Sequence, residues 1–187
     1  METRHIMPRS WRLGCVCLWL ACGWLAVAED NADVKDYQVK AIYLYNFTEF
    51  TVWPASAFAS SNAPIVIGIV GEDPFGKTLD VVINGETAHG HPLVVKRLRA
   101  DEDLRSCQVL FIASSEKKRI SGLLQKLKGS PVLTVSDTTD FAKQGGMVTF
   151  LLIQKTVKFE INQAAAEAAG LQISAKLLKL AYTAKSN

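Results

Sequence analysis

Ile65-Val66-Ile67-Gly68-Ile69-Val70 carries five β-branched side chains in six positions and no polar one. A strand with one wet face alternates apolar and polar residues, whereas a strand covered on both faces reads as an unbroken apolar run. The stretch therefore predicts a strand buried on both sides. It is followed by Gly71-Glu72-Asp73-Pro74-Phe75-Gly76, a strand-to-helix turn in which Asp73 is placed to cap a helix and Pro74 to begin it, with the helix running to about Val82.

Downstream the alternation repeats. Gly85, Gly90 and Pro92 punctuate a loop before a strand at Leu93–Leu98. Cys107–Ala113 reads as a further strand, Ser115–Lys128 as a helix capped by Ser114 or Ser115, and Val132–Val135 as a strand. Alternating β and α elements imply a sheet with helices on its faces. After Gly145-Gly146 the pattern changes. Met147–Ile153 and Thr156–Ile161 are separated only by Gln154-Lys155, a two-residue gap that predicts a hairpin. Val157, Phe159 and Ile161 alternate with Lys158 and Glu160, so the last strand is expected to have one covered and one wet face. Asn162 is placed to cap a final helical region from Gln163 to about Tyr182, broken near Gly170, with Leu171, Ile173, Leu177, Leu178 and Leu180 in the core.

Upstream, Asp33–Phe50 carries Val34, Tyr37, Ala41, Leu44, Tyr45 and Phe47 at mostly three- and four-residue spacings, the mark of an amphipathic helix, which Trp53-Pro54 closes. Tyr37, Tyr43, Tyr45, Phe47 and Phe50 give it more aromatic surface than one sheet face covers, and the surplus is suited to a contact surface. The fold class is thus α/β: a single domain with a central mixed β-sheet flanked by helices, ending in a β-hairpin followed by helix.

The first residues divide into the parts of an export signal. Arg4, Arg9 and Arg12 form a cationic start, Leu13–Leu25 an apolar stretch short of the roughly twenty residues a spanning helix wants, and Ala26-Val27-Ala28 a small-residue cleavage site. Residues 1–28 are expected to be removed and residues 29–187 to form the domain, placed in the periplasm. The leader holds three of the 21 basic and one of the 18 acidic residues, so the formal charge falls from +3 to +1 on cleavage. That balance excludes a nucleic-acid partner. Three of the four cysteines, Cys15, Cys17 and Cys22, leave with it. Cys107 then has no internal disulfide partner and reads as a small core hydrophobe.

Catalytic candidates are thin. His89 and His91 flank Gly90, but only Glu86 lies close by and no cysteine completes a set, so no metal is assigned. Ala113-Ser114-Ser115-Glu116 lacks the glycines of a nucleophile elbow. The glycines of Gly71–Gly76 are wrongly spaced for a nucleotide loop, and Glu72 and Asp73 would repel phosphate. No enzyme activity and no cofactor are expected.

Several blocks together resemble the YfiR-like family of periplasmic proteins. They are Val39-Lys40-Ala41-Ile42-Tyr43-Leu44-Tyr45-Asn46-Phe47 with Phe50 and Trp53-Pro54, then Gly71–Gly76, Gly90-His91-Pro92-Leu93, Cys107–Ile112, Gly145-Gly146-Met147, Phe159–Asn162 and Ile173–Leu180. The resemblance covers nearly all of the chain beyond the leader. It implies a non-enzymatic repressor of a membrane-bound diguanylate cyclase, hence of cyclic-di-GMP signalling, that binds the cyclase's periplasmic sensor region. It also implies an α/β fold that is often dimeric. On this reading the first helix and the C-terminal region meet the partner through Tyr43, Phe50, Trp53, Glu160 and Lys176. The family pairs its cysteine before the Gln108 position with others absent here, so redox control through a disulfide is not carried over. Arg is common in the family where His91 stands. The alternative is a small-ligand-binding sensory domain acting with a sensor histidine kinase, its pocket above the C-terminal strand ends near the Gly71 and Ser114 loops.

Overall fold

All six residues of Ile65–Val70 are buried, and the strand lies inside a seven-stranded sheet, as an apolar run without polar interruption requires. The computed structural model describes residues 23–183, with side chains from Asp33 onward. In chain order the elements are α1 (Gly23–Phe50), β1 (Thr51–Val52), β2 (Ile65–Val70), α2 (Lys77–Ile83), β3 (Thr87–Ala88), β4 (His91–Leu98), β5 (Val109–Ile112), α3 (Ile120–Leu127), β6 (Leu133–Ser136), β7 (Val148–Ile153), β8 (Thr156–Ile161), α4 (Gln163–Ala168), β9 (Gln172–Ile173) and α5 (Ala175–Leu180). The chain divides at Lys35, within α1, and Asp36–Asn187 is the compact unit described below. Of the expected leader, only Gly23–Ala28 falls among the described residues, where it is helical.

The sheet order is β3-β4-β2-β5-β6-β7-β8. The five central strands are parallel, while β3 and β8 run antiparallel to their neighbours. Each parallel connection needs a crossover, and α2 and α3 supply two of them. Successive residues of β2 serve opposite layers. Ile65, Ile67 and Ile69 join Ala41, Leu44 and Phe47 of α1 and Leu79 of α2 on one face. Val66 and Val70 join Ile120, Leu123 and Leu127 of α3 on the other. The expected mixed sheet with helices on both faces, ending in a hairpin and then helix, is what the chain forms.

Local chemistry moves several boundaries. No Gly or Pro stands between Gly23 and Phe50 to interrupt α1, so its described part already runs ten residues ahead of the amphipathic pattern. Asp73 does not cap a helix starting at Pro74: its Oδ1 accepts from the Phe75 N–H at 2.8 Å, an Asx turn, and α2 begins after Gly76. Ser115 is likewise diverted, its Oγ accepting from the Glu72 N–H at 2.9 Å, so Ser114–Arg119 is a 3-10 turn and α3 starts at Ile120. The hairpin is as read: Gln154 and Lys155 both take positive φ, 50° and 60°, as a tight turn between twisted strands demands. Val157 and Phe159 are buried while Thr156 and Lys158 are exposed, which is the expected covered and wet pair of faces. The final helical region breaks at Gly170, and the break contains β9, which pairs antiparallel with β1.

Candidate functional site

Tyr43, Phe47 and Phe50 stand at i, i+4 and i+7 on α1, hence along one helix face. Tyr43 is half-buried, its ring centroid 5.0 Å from Phe159 edge-on, 6.1 Å from Phe150 and 6.2 Å from Phe47. At the other end of the helix the β1–β9 ribbon brings the C-terminal region back. Thr51 pairs with Ile173, and the Ser174 N–H donates to the Phe50 carbonyl at 2.9 Å. Ser174 then caps α5, its side chain accepting from the Leu177 N–H. This places the Lys176 ammonium 4.9 Å from the centre of the Phe50 ring. Beyond α5 the Tyr182 N–H donates to the Phe159 carbonyl at 2.7 Å, next to Tyr43. A seam between α1 and α5 therefore runs from Phe50 and Lys176 to Tyr43 and Tyr182.

The seam is apolar and basic. Leu180, expected in the core, is 60% exposed, because α5 ends there and only Leu177, one turn earlier, reaches inward. Tyr182 is 38% exposed, and Ile42, beside Tyr43 in α1, 51%. Among the described residues neither Lys176 nor Lys179 has an ion-pair partner. The sequence signal for Leu180 is ambiguous, since i+3 from a buried leucine reads as core until the helix end is known.

Of the five residues expected to contact a partner, the structure brings Tyr43, Phe50 and Lys176 onto this seam. Trp53 is only 7% exposed, its Nε1–H donating to the Gln108 carbonyl at 3.1 Å. The Gln108 side chain accepts from the Val66 N–H at 2.8 Å and donates to the Ala57 carbonyl at 2.6 Å, tying the loop after Trp53 to the central strand. Glu160 lies elsewhere. It points from β8 to the face opposite Phe159, beside its cross-strand neighbour Thr149.

Two other polar groupings lie at the C-terminal ends of the parallel strands. Strand order reverses between β2 and β5, the position at which doubly wound sheets bind ligands. There Ser115 and Glu116 pack over Gly71 so closely that a Cβ on Gly71 would lie 2.5 Å from Ser115 Oγ. What remains is an open cleft of about 490 Å³ beside Arg99, Asp101, Glu116 and Arg119. Near the same end of the sheet, Asp137 Oδ2 accepts from Lys40 Nζ and Tyr37 Oη, each at 2.7 Å. That cluster fastens α1 to the end of β6. His91 is occupied too, its Nδ1–H donating to the Ala63 carbonyl at 2.6 Å and its ring stacked 4.2 Å from Phe58. Burial pushes the Cys107 thiol up to about 11, so it is a packing group rather than a nucleophile.

A sequence profile described as YfiR/HmsC-like matches residues 37–182, which include every residue of the seam. The chain belongs to the YfiR/HmsC-like family. The family is periplasmic and regulatory, and it works in cyclic-di-GMP signalling through the periplasmic region of a membrane signalling protein. No curated protein matches this YfiR/HmsC-like chain. A solved structure titled as a conserved domain protein from Vibrio cholerae O1 biovar El Tor str. N16961 is 15% identical, with a TM-score of 0.46 over 62% of this chain and 53% of that one. The chain thus matches about half the length of that solved protein.

Proposed function

We propose that this YfiR/HmsC-like protein is exported, cleaved after Ala28, and represses an inner-membrane diguanylate cyclase by docking its α1–α5 seam onto the cyclase's periplasmic sensor region. The observation that carries the reading is the seam itself. Aromatic rings of Tyr43 and Phe50, exposed Leu180 and Tyr182, and Lys176 and Lys179, which have no ion-pair partner among the described residues, lie along α1, α5 and the segment just after it. Such a surface, with aromatic anchors and a cationic rim, has the make-up of a protein interface rather than of a reaction centre. Trp53 and Gln108 fix the segment after α1 to the central strands.

The test uses Phe50→Ala, Lys176→Glu and Leu180→Asp in cells that produce the cognate cyclase. Loss of a true anchor costs about 2 kcal/mol or more, which is about thirtyfold in affinity. The expected result is loss of co-purification with the cyclase and a rise in cyclic-di-GMP, with the variants still exported and folded. Full co-purification by all three variants would remove the seam from the interface.

A further inference from the structure

On another side of the molecule a cavity of about 570 Å³ opens between α3, the Gln144–Met147 turn and α4. Its inner surface is formed by Leu124, Leu127 and Met147, and the α4 wall by Ala165, Ala168 and Ala169, whose short side chains leave the space unfilled. The one polar group at its base, Thr134 Oγ1, already accepts from the Met147 N–H at 3.2 Å. Hydroxyl and carboxamide groups of Ser121, Gln125 and Gln144 form the rim. Among the described residues Lys128 is the only charged one lining it, and it has no ion pair there.

These features define the occupant. The volume falls within the roughly 300–1,000 Å³ of small-molecule sites. Among the described residues no aromatic ring lines the cavity, so none of them selects a flat ring by stacking. An uncompensated lysine at the mouth of an apolar cavity favours one negative charge. We infer that the α3–α4 groove binds a small aliphatic carboxylate of medium chain length, tail inward and headgroup at Lys128. This site is separate from the α1–α5 seam and does not depend on the identity of the docking partner.

Octanoate and octanol, titrated into protein produced from the full chain and followed by NMR shifts, are the probes. Octanoate is expected to bind saturably and about two- to fivefold more tightly than octanol, the scale of an exposed ion pair. Lys128→Ala should bring the two probes level. Ala168→Trp, an exposed position on the α4 wall, should abolish binding of both, and Ser121→Trp on the facing helix should do the same if the first variant folds poorly. Leu180→Asp should leave octanoate binding unchanged. Absence of saturable binding, or binding that survives both tryptophans, overturns the site. Equal affinity for the two probes in the unmodified protein overturns the carboxylate assignment.

Discussion

Gly68 is the residue on which the centre of the sheet turns. A Cβ there would lie 2.5 Å from Cys107 Sγ, 3.0 Å from Leu110 Cδ1 and 3.3 Å from Leu98 Cδ1. Gly68→Ala is therefore expected to destabilise the fold by about 1–3 kcal/mol, the range for overpacking a core. In Cys107→Ala the same change should cost clearly less, and additive effects in denaturant titrations of the four proteins would refute the steric coupling. Cys107 has a second consequence. Its thiol is buried and held neutral, with the pKa raised to about 11. A raised thiol pKa stabilises the fold fully below the unfolded value, near 8.5, and that contribution is lost as pH rises toward 11. Stability should fall by about 1 kcal/mol per pH unit through this window in the wild type and more gently in Cys107→Ala, as denaturant midpoints will show. A thiol reagent at pH 8 should label Cys107 only on unfolding.

At the scale of elements, α1 is held by two unlike fastenings. Its aromatic face packs against Phe150 and Phe159, a non-directional contact spread over several rings. Its polar fastening is the Lys40–Asp137 pair, 2.7 Å apart with side chains 13% and 11% exposed. Asp137 Oδ1 is buried without a hydrogen-bond partner among the described residues, so the carboxylate depends on what reaches Oδ2. Removing one member of a buried pair leaves a charge stranded. Lys40→Met should cost about 3 kcal/mol and speed amide exchange in α1 around Tyr37 before the central strands respond. Lys40→Met with Asp137→Leu should recover much of the loss, and a double variant no more stable than the single would show that the pair is not the fastening. The same scale explains the misplaced helix starts. Asp73 and Ser115 have the chemistry of caps, yet a local Asx turn gives the Asp73 oxygen to Phe75 and a tertiary contact gives the Ser115 oxygen to Glu72.

Across the whole molecule, core and interaction surface are layered one over the other. Trp53 and Gln108 are buried and belong to the packing, whereas Leu180 belongs to the surface. Trp53→Ala is expected to cost about 3–5 kcal/mol and Leu180→Asp to stay within about 0.5 kcal/mol of the wild type. Thermal unfolding compared with partner co-purification separates the two roles. A Leu180→Asp protein as unstable as Trp53→Ala would mean that the seam is part of the core.

Short-range periodicity governs the features that can be read from the chain alone. The unbroken run of β2, the alternation of β8, the two-residue gap at Gln154-Lys155 and the Asn162 cap were all legible, because each depends on residues within one or two turns or one hairpin. Tyr43, Phe50 and Lys176 were also nameable, but not their arrangement. Phe50 and Lys176 meet only because Gly170 breaks the final helix and β9 returns to β1. Trp53, expected to meet the partner, is covered by the fold. The exposure of Leu180, the pairing of Lys40 with Asp137 and the cavity beside α4 were decided by the tertiary structure alone. They depend on which elements become neighbours, and that choice is made by packing over the whole sheet rather than by any local pattern.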